Sequence, residues 1–165
     1  MNFIKQLLFL FIFFGCFTIR AQINKEKEVL KILSFEKVEK LHQQTPKPIV
    51  IFLYTDWCKI CFGMKKTTFS REEVITILNE EFYLIFLDGE EKRDISFLSK
   101  NFKFKPSGKN TGIHQLSAEF ASIKRKISYP TITILNKNHE IVAQINSYLN
   151  SKNLQIILNK ILKKD

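Results

Sequence analysis

Glycine and proline are scarce in this sequence, five and four among 165 residues, which excludes collagen-like and low-complexity architectures. No segment repeats, so a solenoid or propeller is excluded too. The longest apolar run, Leu7 to Phe17, has eleven residues, against the roughly 20 that a bilayer-spanning helix needs. Cysteine is rare. Cys16 lies within that run, and Cys58 and Cys61 stand three positions apart. Zinc and iron–sulfur centres generally take about four ligands, whereas the three histidines are scattered at 42, 114 and 139, so no metal site is expected. Gly108 and Gly112 lie in a polar stretch, but no Gly-Lys-Ser/Thr pattern follows a strand, and a phosphate loop is not expected either.

Negative charge is also in the minority, with 26 Lys and Arg against 16 Asp and Glu, a formal +10. The lysines are spread along the chain rather than interleaved with aromatics. They read as a solvated basic surface, and nucleic acid is not expected as a partner. Hydrophobic residues make up 45%, enough for one domain with a sizeable core.

The start of the chain reads as a leader. Lys5, the short apolar run and the small residue Ala21 match a cleaved secretory signal over residues 1–21, with Gln22 as the new N-terminus and residues 22–165 as the domain. The expected location is therefore outside the cytosol, in the periplasm. A rival reading takes Gly15-Cys16 as a lipoprotein junction, with the chain anchored through Cys16. Removing residues 1–21 leaves 24 basic and 16 acidic residues and two cysteines.

Periodicity then orders the elements. Residues 29–33 suggest a short edge strand. Ser34 is placed to cap a helix carrying Phe35, Val38 and Leu41 on one face, and Pro46 and Pro48 end it. IVIFLY (49–54) and FYLIFL (82–87) are continuously apolar, as parallel strands buried on both faces are. The 27 residues between these runs allow a helical crossover. The expectation is a helix opening at the cysteines, a break at 67–69, and a second piece to about Glu80 started by a Ser70/Glu73 capping box. After a charged turn at 89–93, Ile95, Phe97 and Leu98 suggest a short helix, and residues 114–127 another with Leu116, Phe120 and Ile123 buried. TITIL (131–135) and IVAQI (141–145) form a hairpin, and Ser151 is expected to cap a last helix bearing Leu154, Ile157, Leu158, Ile161 and Leu162. A parallel βαβ half joined to an antiparallel ββα half makes an α/β fold, one mixed central sheet flanked by helices.

Trp57-Cys58-Lys59-Ile60-Cys61 follows the first buried strand and opens a helix. A sulfur at a helix N-terminus faces free backbone N–H groups and the positive end of the dipole, which favours thiolate over thiol. Lys59 adds positive charge, and Cys61 lies one turn further on, within reach of a disulfide. Such a pair can exchange with a partner's disulfide: Cys58 attacks, and Cys61 resolves the mixed disulfide. The second feature is Tyr129-Pro130-Thr131, where a proline stands at the start of a strand.

Together these motifs resemble the thioredoxin superfamily over residues 28 to 163. Thr55-Asp56-Trp57-Cys58 with Thr68-Phe69-Ser70 and Val74 is similar to exported bacterial thioredoxin-like proteins in particular. The resemblance implies a thioredoxin fold and a protein-disulfide oxidoreductase with no cofactor beyond the redox-active Cys58–Cys61 pair. It implies Cys58 as nucleophile, Cys61 as resolving thiol and Pro130 as a cis-proline facing them. It also implies that Trp57, Tyr129 and Thr131 contact the substrate. Partners would be protein thiols and disulfides and an electron donor or acceptor, with the chain monomeric. Three features depart from the family. Phe52 stands where a buried carboxylate usually serves the second thiol, leaving Asp56 as a conjectural replacement. The intervening pair is Lys59-Ile60. Residues 99–128 form an insertion, expected to be helical and loop-like, leading into Pro130. Alternatives within the same fold are a binding module stapled by its disulfide, an isomerase and an oxidant.

Overall fold

The computed structural model describes residues 28–109 and 111–164. The leader expected over 1–21, including Cys16 and Ala21, and the new terminus Gln22 lie outside the described residues. Among the described residues, no helix is long and apolar enough to cross a membrane.

Helix α1 (Phe35–Gln44) is followed by β1 (Ile49–Tyr54), α2 (Lys59–Thr67), α3 (Glu72–Glu81) and β2 (Tyr83–Asp88). After the insertion come β9 (Thr131–Leu135), β10 (Ile141–Ile145) and α5 (Ser151–Leu162). The sheet has the order β10-β9-β1-β2, with β1 and β2 parallel and the other pairings antiparallel. The mixed α/β architecture expected from the sequence is the one observed. Side chains alternate across β1. Val50 and Phe52 join Met64, Leu78, Leu154 and Leu158 on one face, while Ile49, Ile51 and Leu53 join Phe35, Val38 and Phe97 on the other. Helices of nine to twelve residues are marginal alone in water, so burial in these two clusters, about 1.5–3 kcal/mol per large side chain, holds them in place.

Local details differ from expectation. Residues 29–33 form only an isolated bridge, Ile32 to Leu84, because Asn79 claims the neighbouring backbone: it accepts from the Lys31 N–H and donates to the Val29 carbonyl. The Ser70/Glu73 capping box does not form. Ser70 donates back to the Lys66 carbonyl at the end of α2, and Arg71 takes the cap position of α3 without a side-chain bond. Asn150, not Ser151, caps α5, accepting from the Asn153 N–H at 2.8 Å.

The insertion is mostly hairpins. β3 (Ile95–Phe97) pairs with β4 (Lys100–Phe102) where a helix was expected, turning through Leu98 and Ser99 at φ 51° and 60°. β5 (Phe104–Pro106) pairs with β6 (Gly112–His114). The helix expected over 114–127 is only α4 (Gln115–Phe120). It gives way to β7 (Ser122–Ile123) and β8 (Lys126–Ile127), joined by Lys124 and Arg125 at φ 51° and 64°. Two successive residues in the left-handed region cannot continue a right-handed helix.

Candidate redox site

Cys58 is the N-cap of α2, and its N–H bonds back to the Thr55 carbonyl at 3.1 Å. Its sulfur accepts from the Cys61 N–H at 3.1 Å, so one of the free donors at the helix start points at this atom. A disulfide links Cys58 and Cys61, with Cα atoms 5.3 Å apart. The two sulfurs are not equivalent: Cys58 keeps 7% of its surface exposed and Cys61 only 1%. Around them Trp57, Ile60 and Phe62 stand out in solvent, an apolar apron rare on a soluble surface. Lys59 and Asp56 are exposed beside it.

Thr131, first residue of β9, pairs with Leu53 near the end of β1, which brings Tyr129, Pro130 and Thr131 to the sheet end that carries the cysteines. The Tyr129–Pro130 peptide bond is cis. Thr131 is buried and donates to the Ser128 carbonyl at 2.8 Å. Tyr129 lies edge-on to Trp57, with ring centroids 6.0 Å apart, and its hydroxyl bonds Ser117 at 2.7 Å. Burial pushes the Tyr129 hydroxyl above its ordinary pKa, and Asp88 and Glu90 add to the shift. Among the site residues read from sequence, then, Trp57 and Tyr129 meet directly. Asp56 is exposed and acts through its charge on Tyr54, Lys65 and Asp88, and Phe52 fills the core beside the cysteines, its ring 4.8 Å from Phe69 and 5.0 Å from Phe86.

The turn after β2 was expected from the sequence as a charged one, but its part in the site was not. Glu90 accepts from the Trp57 indole N–H at 3.1 Å, and Asp88 accepts from the Glu90 N–H at 3.0 Å. Burial raises the Asp88 pKa, and Asp56, Glu90 and Glu91 raise it further, so four carboxylates gather at this end of the sheet. Lys65 lies over the Tyr54 ring at 3.0 Å, next to them. The signal was present as three acids in five residues, 88–92, directly after a strand parallel to the one that delivers the cysteines.

Residues 35–162 match the family model of the thioredoxin-like domain. The chain belongs to that family. Solved structures agree on the fold of this thioredoxin-like chain. The DsbH oxidoreductase superposes with a TM-score of 0.57 at 15% identity, over 82% of this chain and 86% of that one. A thioredoxin from Thermus thermophilus gives 0.57 at 17%, over 82% and 88%. The oxidised C-terminal domain of Neisseria meningitidis DsbD gives 0.52 at 15%, over 79% and 99%. No curated protein matches the chain. Among the described residues of this family member, no group of three or more His, Cys, Asp or Glu is placed to hold a metal ion.

Proposed function

We propose that this thioredoxin-like chain is an exported protein-disulfide reductase working through Cys58 and Cys61. The observation that carries the reading is the asymmetry of the pair: the sulfur at the helix N-terminus is the accessible one, and its mate is sealed. In the reduced protein the Cys58 thiolate attacks one sulfur of a substrate disulfide. That S–S bond breaks, a Cys58–substrate disulfide forms, and the first substrate sulfur leaves as thiolate and takes a proton. Cys61 then loses its proton and attacks the Cys58 sulfur. The mixed disulfide breaks, the second substrate thiol departs, and the Cys58–Cys61 disulfide closes, two electrons having passed to the substrate. Phe52 offers no proton acceptor, so the Cys61 proton passes to the substrate thiolate just released or to water at the mouth. The exposed Trp57, Ile60 and Phe62 suit a protein partner better than a small thiol.

Charge supports the reducing direction. A couple oxidises strongly when its thiolate is well stabilised. Here the helix N-terminus and Lys59 favour thiolate, while Asp56, Asp88, Glu90 and Glu91, gathered at the same end of the sheet, disfavour it, which supports a reducing couple. Equilibration with glutathione should give a potential of about −270 mV, and about −120 mV would mark an oxidant instead. Cys61→Ser should accumulate mixed disulfides through Cys58. Failure to trap any would leave the pair a structural staple in a binding module.

A further inference from the structure

Beside Trp57 a cavity of about 290 Å³ opens between the cysteine end of the sheet and the insertion. Its lining includes Trp57, Glu90 and Tyr129, together with Thr111, Ile113 and Ser128 from the insertion. Its size is at the bottom of the range for small-molecule sites, roughly 300–1,000 Å³, so it admits one long side chain rather than a cofactor. The lining divides by chemistry. The exposed faces of Trp57 and Ile113 are apolar and suit a methylene stem. Glu90 brings a carboxylate whose Oε1 accepts from the Trp57 indole, and a carboxylate has further acceptor sites to offer. The Ser128 hydroxyl is buried and has no hydrogen-bond partner among the described residues.

The charge in the lining, on Glu90, has the opposite sign to the chain. The sequence carries a formal +10, yet the charged groups that bear on the Tyr129 hydroxyl are Asp88 and Glu90, and those that bear on Tyr54 are Asp88, Asp56 and Glu91. Lys65 offsets part of this from its seat over the Tyr54 ring. Lys105, paired in register with Ile113, and Lys126, beside Ile127, also stand nearby, but the charged side chain among the described residues that line the cavity is Glu90.

We propose that this cavity receives a lysine or arginine side chain of the substrate protein, borne one or two residues from the cysteine that Cys58 attacks. Glu90 and Ile113 are then specificity-determining residues supplied by the turn after β2 and by the insertion. The assignment rests on the exchange reading for its reacting atom. It explains why an insertion is packed next to the pair: one wall of the cavity is made from it.

Trp57 is the single tryptophan, so its fluorescence reports occupancy of the cavity in the full chain. Peptides with serine in place of the target cysteine, flanked by arginine, glutamine or glutamate, serve as probes. The arginine peptide should bind about tenfold more tightly than the glutamate peptide, the scale of one charge-assisted hydrogen bond, and lose that margin as salt rises. Glu90→Gln keeps the acceptor for Trp57 and should reduce the preference several-fold. Ile113→Lys, which sets a cation in the cavity, should do the same. Equal affinities in the wild-type chain, a preference for glutamate, or a preference untouched by Glu90→Gln would overturn the assignment. Reaction of the reduced wild-type chain with a small neutral disulfide is measured in parallel. A chain inert there but selective for arginine loses the exchange reading and keeps the site. One that is active without selectivity loses only the site.

Discussion

A methyl group added at Gly89 would overlap the Tyr129 hydroxyl and ring edge. The residue is pinned from both sides, since its N–H donates to the Tyr54 carbonyl at 2.7 Å and its carbonyl accepts from the His114 N–H at 2.8 Å. It can therefore retreat little, and Tyr129 must move instead. That would strain the Ser117 hydroxyl bond and the edge-on contact with Trp57. Gly89→Ala should cost about 1–3 kcal/mol, the usual penalty of overpacking, visible as a lower urea midpoint. Because Tyr129 is the neighbour of the single tryptophan, the emission of the folded protein should shift as well. An alanine variant with the wild-type midpoint and spectrum would show that Tyr129 is not held against Gly89.

Elements with long, strong patterns were legible before any coordinates. The continuous apolar run of β1, the break between α2 and α3, the β9–β10 hairpin and the 3-4 spacing of α5 each reflect contacts repeated over five or more residues. The insertion was not legible, for a local reason and a distant one. Its two tightest turns use Leu98-Ser99 and Lys124-Arg125, whereas residues that adopt positive φ cheaply, Gly, Asn and Asp, are what mark such turns in a sequence. The spacing of Leu116, Phe120 and Ile123 imitates a helix that in fact ends at Phe120. Ile95 and Phe97 read as one helical turn but are strand residues, both buried, with Phe97 5.0 Å from the Phe35 ring of α1. The site divides in the same way. Cys58 and Cys61 were found because their chemistry is written within four residues, and Glu90 was missed because it reaches Trp57 across 33. What fixes the insertion is His114, fully buried, whose Nδ1 accepts from the Leu116 N–H at 3.2 Å while Nε2–H donates to the Phe102 carbonyl at 3.2 Å. His114→Ala removes the α4 cap and the tie to β4 together. It should cost about 1–3 kcal/mol and speed amide exchange at Leu116 ahead of the central sheet. Uniform acceleration across the molecule would mean that the insertion does not open on its own.

The three histidines couple the whole molecule to pH. His42 and His139 lie ring against ring, centroids 4.3 Å apart and tilted by 46°, at the sheet end opposite the cysteines, and the Nε2 of each is buried with no hydrogen-bond partner among the described residues. Burial holds all three below the ordinary value. His139 lowers His42 further, whereas Glu39 partly restores His139, and the Phe102 carbonyl, Glu91 and Asp94 partly restore His114. A depressed histidine binds its proton more readily in the unfolded chain. As pH falls below about 6.5, unfolded molecules therefore take up protons that folded ones refuse, and stability drops until the folded rings protonate as well. At about pH 7.5 and above these rings are almost wholly neutral in both states, and the contribution is fully present. The urea midpoint should accordingly decline between about pH 7.5 and 5.5. His42→Gln removes one depressed group and the repulsion within the pair, so its midpoint should decline less over the same range. A wild-type midpoint that holds or rises on acidification would show that the buried rings accept protons as easily as solvated ones, which their unpartnered nitrogens argue against.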